Sequence, residues 1–125
     1  GSSLFLEKVR EKVLLFDGAM GTLLQAKGLS LGECPEQWNL TKPEIIKEIH
    51  KSYFDAGSDC VETNSFGGTK AKLNKFGLGN KCYEFNKAAA ELAREVTPSG
   101  KFVAASIGST GNVRTLWRFF NTRVL

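Results

Sequence analysis

Apolar residues along this chain fall into short runs, separated by stretches in which they recur every three or four positions. Val13 to Phe16 forms one run, ending abruptly at Asp17 and a glycine-bracketed turn, Gly18-Ala19-Met20-Gly21. The pattern returns at Asp59 to Thr63, before Asn64-Ser65-Phe66-Gly67-Gly68, and at 101–106, before Gly108-Ser109-Thr110-Gly111. These three segments predict strands. Residues 4–12 predict a short amphipathic helix leading into the first strand, and residues 20–27 a short helical piece after it. The loop that follows carries Leu31 and Trp38, two apolar anchors expected to pack.

The next helix has the strongest signal. Ile45, Ile46, Ile49, Tyr53 and Phe54 recur at helical spacing. Thr41 or Lys42 supplies its cap, Pro43 takes the first helical position and Glu44 suits the positive end. Gly57 ends it. Residues 69–76 predict a short helix closed by Gly77. Residues 81–96 predict a longer one, capped by Asn80 and filled with strong helix formers from Ala88 to Ala93. Thr97-Pro98-Ser99-Gly100 breaks it.

Strand, helix, strand, helix, strand is the order of an α/β fold with a parallel sheet and right-handed crossovers. Ligands of such sheets bind beyond the carboxyl ends of the strands. Asp17, Asn64 and Ser106 stand at those ends and are expected to share one rim.

Each rim residue admits a structural and a functional reading. Asp17 caps the amides of Ala19 and Met20, or accepts hydrogen bonds from a ligand cation. Gly18 and Gly21 serve either role, because glycine permits positive φ and close approach of a ligand to the backbone. The turn lacks the spacing of a phosphate loop or a dinucleotide fingerprint. Asn64 orients a ligand carboxylate, or locks its loop onto a neighbouring strand. Glu62, inside a strand, reads as a paired or inter-layer acid. The 108–111 turn offers backbone amides to an anion only weakly. His50, between Ile49 and Lys51, reads as a surface or helix-packing residue rather than a catalytic one.

Composition narrows the partners. At 125 residues with 42% hydrophobic, 24% charged and 10% aromatic content, the chain suits one folded domain rather than a disordered segment. Its longest apolar runs are four residues, far short of the ~20 of a membrane span. Charged residues at 7–12 interrupt any signal-peptide core, so the expected setting is cytoplasmic. Net charge is +4, but residues 1–111 hold 14 Lys and Arg against 13 acids, a net of +1. The surplus lies in Arg114, Arg118 and Arg123, so neither nucleic acid nor membrane is an expected partner. Cys34, Cys60 and Cys82 lack the close spacing of a zinc knuckle. Cys60 is expected to pack inside its strand, and no disulfide is expected.

Taken in order, "LLFDGAMGTLLQ", "ECPEQWNLTKPEIIKEIHKSYFDAGSD", "VETNSFGGTKAKLNKFGL" and "VAASIGSTG" resemble the amino-terminal part of the homocysteine S-methyltransferase domain, in the form found in cobalamin-dependent methionine synthases. The likeness runs from about residue 10 to 111. It implies an α/β fold made of about three β/α units of a (β/α)8 barrel. It also implies homocysteine as partner, bound to zinc as a thiolate. Coordination lowers the thiol pKa and keeps a nucleophile at neutral pH. The implied reaction is methyl transfer to that thiolate, forming methionine. Cobalamin, bound elsewhere, is the implied methyl carrier, with folate and cobalamin domains downstream.

By the same resemblance Asp17, Gly18 and Ala19 lie against the amino-acid end of homocysteine, and Asn64 lines the same pocket. The family's zinc thiolates come from later strands, a lone cysteine and then an adjacent pair. None of the three cysteines here matches them, so no catalytic or metal ligand residue is assigned. Ser109 stands where the family has proline. The domain is expected to occupy residues 1–111 in part. Residues 112–125 ("NVRTLWRFFNTRVL") read as a divergent or out-of-frame tail, and the chain as inactive alone. Val13, Leu15, Val61 and Val103 are expected to face the barrel interior. A small non-catalytic α/β binding or interaction module is the alternative.

Overall fold

The computed structural model describes residue 6 and residues 20–108. The strand expected at 13–17, nearly all of the helix at 4–12 and the tail at 112–125 lie outside the described residues. Within them the order is α1 (Met20–Ala26), a 3-10 turn (Pro35–Gln37), α2 (Trp38–Thr41), α3 (Pro43–Asp55), β1 (Cys60–Glu62), α4 (Lys70–Asn74), a second 3-10 turn (Gly79–Lys81), α5 (Cys82–Glu95) and β2 (Phe102–Ala104).

The two strands pair in parallel, with Cys60 opposite Phe102, Val61 opposite Val103 and Glu62 opposite Ala104. Phe102 N–H donates to the Asp59 carbonyl at 3.0 Å and Thr63 N–H to the Ala104 carbonyl at 2.9 Å, so the ladder runs past both strand ends. An ion pair, Lys101 Nζ to Asp59 Oδ1 at 3.1 Å, closes the entry side.

Helix α3 forms where its pattern requires. Pro43 starts it and Glu44 lies in its first turn; Ile46, Ile49, His50 and Phe54 form its buried stripe. The capping position is Lys42, without a side-chain bond. Thr41 is not available, because its hydroxyl donates back to the Gln37 carbonyl at 3.2 Å. Gly57, at φ +106°, closes the helix. Ser58 N–H reaches the Tyr53 carbonyl and Gly57 N–H the Phe54 carbonyl, both at 3.0 Å, which satisfies carbonyls the helix leaves open. Gly77 closes α4 in the same way. Thr69 caps α4, its hydroxyl accepting from Lys72 N–H at 3.2 Å. The cap expected at Asn80 does not form. Asn80 lies inside the second 3-10 turn, and α5 starts one residue later from Lys81.

Three buried clusters lie among the described residues, the smallest being Cys34, Leu73 and Phe85. Leu24, Leu29, Trp38, Ile46, Ile49 and Leu92 join α1, α2, α3 and α5. Phe54, Val61, Ala93 and Val103 join the sheet to α3 and α5. Val61 and Val103 therefore face the helices, not the opposite sheet face expected for them. Strand alternation gives that other face to Cys60, Glu62, Phe102 and Ala104. Trp38 anchors the loop as expected, with its indole N–H on Glu33 Oε2 at 2.9 Å. Leu31 does not, being 92% exposed. Cys60 is fully buried in β1, as a packing residue. His50 is also fully buried, with no hydrogen-bond partner for either ring nitrogen among the described residues. Among the described residues no helix is long and apolar enough to cross a membrane.

Candidate functional site

Where the chain leaves β1 it makes an open cleft of about 500 Å³ beyond the carboxyl ends of both strands. Glu62 to Gly67 supply one wall and Ser106 the neighbouring strand end. Met20, Gly21 and Leu24 come from α1, Pro35 and Glu36 from the first 3-10 turn, and Lys72, Lys75 and Phe76 from α4 and its end.

Hydroxyl side chains stitch the two strand ends together. Thr63 Oγ1 and Ser65 Oγ lie 2.5 Å apart. Ser65 Oγ donates to the Ser106 carbonyl at 2.8 Å, and Ser106 N–H donates to Thr63 Oγ1 at 3.1 Å. Further out, Gly108 N–H donates to the Phe66 carbonyl at 2.9 Å. The rim continues the sheet with side chains in place of ladder bonds. It fixes the β1 and β2 loops against each other.

Asn64 takes up its locking role in this geometry. Its Nδ2 donates to the Pro35 carbonyl at 2.9 Å and to Asn39 Oδ1 at 3.0 Å. Asn39 Nδ2 answers with bonds to the Asn64 carbonyl at 2.9 Å and the Phe85 carbonyl at 3.1 Å. The loop locked is 34–39, from another part of the chain rather than a neighbouring strand. Asn64 still lines the cleft, and its Oδ1 accepts no hydrogen bond among the described residues. Ser106 shares the rim with it as expected. Asp17, Gly18 and Ala19 lie outside the described residues. Glu62 is exposed and lines the cleft, so it is not an acid held between layers.

Glu36 is an acid in the cleft wall, only 4% exposed. Burial pushes its pKa up; its own N–H, that of Gly67, the Cys34 thiol and the Lys72 charge pull the other way. Cys34 lies behind it, Sγ 3.8 Å from Glu36 Oε1, and burial raises its thiol pKa too. Cys82 donates to the Gly68 carbonyl at 3.0 Å, beside Asn86 Nδ2, which reaches the same carbonyl at 2.8 Å. Lys72 Nζ sits 4.4 Å from the centroid of the Phe66 ring.

Glu36, Asn39 and Lys72 are the residues that sequence reasoning missed. The Asn39 bonds span 25 and 46 positions, and Glu36 and Lys72 also meet Gly67 and Gly108 from distant segments, so local patterns carry little signal for them. Asn39 alone offers a cue, as a polar residue directly beside the anchor Trp38. Among the described residues no group of three or more His, Cys, Asp or Glu is arranged to hold a metal ion.

The described residues form a parallel α/β unit with a cleft at the strands' carboxyl rim, where ligands of such sheets generally bind. Residues 14–118 match the homocysteine S-methyltransferase family, and the chain belongs to it. Methionine synthase of Mycobacterium tuberculosis is 34% identical over 123 residues, covering 89% of this chain and 10% of that protein. That of Mycobacterium leprae is 36% identical with the same coverage. Among solved structures, the metallated form of the homocysteine methyltransferase MmuM from Escherichia coli aligns with a TM-score of 0.73 at 29% identity. That alignment takes in 86% of this chain and 42% of MmuM. The chain thus spans about a tenth of the methionine synthases it resembles and under half of MmuM.

Proposed function

We propose that residues 1–111 form the first three β/α units of a (β/α)8 barrel whose reaction is methyl transfer to the thiolate of homocysteine, producing methionine. The observation that carries this reading is the cleft itself. It lies at the carboxyl rim of parallel strands, in a chain of this family, and combines apolar walls with a few polar groups. Met20, Leu24, Phe66 and Phe76 suit the methylene chain of a small amino acid. Asn64 and Lys72 offer polar contacts beside it. In this reading Asp17, Gly18 and Ala19 meet the amino-acid end from the first strand's turn.

A zinc ion, when bound in this family, supplies a thiolate at neutral pH. The described residues do not fit it. Cys34 is buried behind Glu36 with its thiol pKa raised, Cys60 points to the Val61 carbonyl and Cys82 to the Gly68 carbonyl. This segment's role in the reaction is therefore to bind and orient the amino-acid end, with metal ligands, cobalamin and folate domains belonging to the remainder of a larger protein. Titration of the isotope-labelled chain with homocysteine tests this. Amide shifts concentrated at Asn64, Ser65, Ser106 and Gly108 are expected. Shifts absent there, or spread evenly over α3 and α5, would contradict it.

A further inference from the structure

Lys72 differs from its neighbours on α4. Lys70 on α4 and Lys75 just after it, which also borders the cleft, are exposed, whereas Lys72 is half-buried in the cleft wall. Its ammonium is held on two sides. The Phe66 ring lies beneath it, centroid at 4.4 Å. The backbone of Gly108 lies against it. A Cβ at that position would stand 2.4 Å from Nζ and 2.4 Å from the Phe66 carbonyl oxygen. Glycine there leaves room both for the ammonium and for the Gly108–Phe66 hydrogen bond that joins the two loops.

Lys27, Lys47, Lys81, Lys87 and Lys101 each have a carboxylate within 4 Å. Among the described residues Lys72 has no such ion pair; nor do Lys42, Lys51, Lys70 and Lys75, but those four are exposed, and only Lys72 combines the lack of an anion with burial in the cleft wall. Glu36 feels its charge only at longer range. A half-buried cation fixed by a ring and a backbone, without an anion of its own, favours an anionic ligand group at that spot. The apolar walls beside it match a short carbon chain.

We propose that Lys72 positions the α-carboxylate of the amino-acid substrate, with Phe66 and Gly108 as its cradle. The proposal rests on the homocysteine reading above. It adds a residue that selects amino acids over plain thiols.

The test compares two ligands on the full chain, homocysteine and its decarboxylated analogue 3-aminopropane-1-thiol. A charge-assisted hydrogen bond corresponds to a roughly ten- to hundredfold preference for homocysteine. Lys72→Met should abolish that preference while leaving affinity for the analogue unchanged. Lys72→Arg should keep part of it, and Lys70→Met, outside the cleft, all of it. Gly108→Ala provides a second route, since it displaces the ammonium without removing it, and should lower the preference as well. Equal weakening of both ligands in Lys72→Met, or a preference that survives it, overturns the proposal. Equal affinity of the unmodified chain for both ligands overturns it too, while leaving thiol recognition intact. Binding of neither ligand removes the amino-acid reading itself, and the role of Lys72 with it.

Discussion

Asn39 and Asn64 hold each other. Asn64 Nδ2 donates to Asn39 Oδ1 at 3.0 Å, and Asn39 Nδ2 donates to the Asn64 carbonyl at 2.9 Å. Both residues are buried, so neither bond exchanges cheaply with water. The pair ties α2 to the residue region that follows β1 and so fixes Asn64, a residue of the cleft wall. Asn39→Ala leaves the Asn64 and Phe85 carbonyls without this donor. With a cost of roughly 1–3 kcal/mol for each buried group left unpaired, we expect a loss of about 3 kcal/mol. Urea unfolding of the variant measures it. A change below about 0.5 kcal/mol would mean that water or other groups replace the pair.

His50 makes stability depend on pH. Burial lowers its pKa from 6.5 to about 4 in the folded chain, because the cation loses its hydration and no described residue compensates it. The unfolded chain binds this proton first. The contribution of neutral His50 is therefore complete above pH 6.5 and is lost as pH falls through the window down to about 4. The loss amounts to about 3 kcal/mol. Glu36 works oppositely, since an acid with a raised folded pKa takes up its proton more readily when folded. Comparing the chain with His50→Leu isolates the histidine. The variant should show a flatter stability profile between pH 6.5 and 4; parallel profiles would contradict the assignment.

Gly57 tests the helix closure. A Cβ there meets nothing within 4 Å, yet φ is +106°. The cost of Gly57→Ala is then backbone strain alone, about 1–2 kcal/mol. Gly57→Asn should cost less, because asparagine tolerates positive φ better than alanine does. Thermal unfolding of the two variants ranks them, and the reverse order would place the strain elsewhere.

The cysteines test the assignment of the metal site. Cys34, Cys60 and Cys82 each engage a different protein group, Glu36, the Val61 carbonyl and the Gly68 carbonyl. Stoichiometric tight zinc is not expected in the purified chain. Zinc that is retained, and lost on replacing these three residues, would contradict the division of labour proposed here.

Local chemistry made the helices legible. Pro43, Glu44 and Gly57 bracket α3, and the Ile46-Ile49-Phe54 stripe sets its face, all within one stretch of chain. Strand facing was harder. The three-residue strands offer too few positions to fix which side meets the helices, and Val61 and Val103 pack with Phe54 and Ala93 rather than on the opposite face that the barrel resemblance implies for them. His50 illustrates a similar limit, because its neighbour Lys51 is exposed while its own position falls on the buried stripe. The rim was legible through Asn64 and Ser106, which follow strands. Glu36 and Lys72 reach the cleft, and Asn39 reaches Asn64 behind it, only through the folding of distant segments, and no pattern along the chain joins them.

Methyl acceptance by homocysteine is the central claim, and a chimaera tests it most directly. Residues 14–108 would replace the matching part of MmuM, whose solved structure aligns with 86% of this chain. The reading predicts a folded barrel that forms methionine from homocysteine. It also predicts that Asp17→Ala within the chimaera weakens homocysteine binding roughly ten- to hundredfold, as expected for one charge-assisted hydrogen bond. A chimaera that folds, binds its metal and yet leaves homocysteine unmethylated would contradict the account.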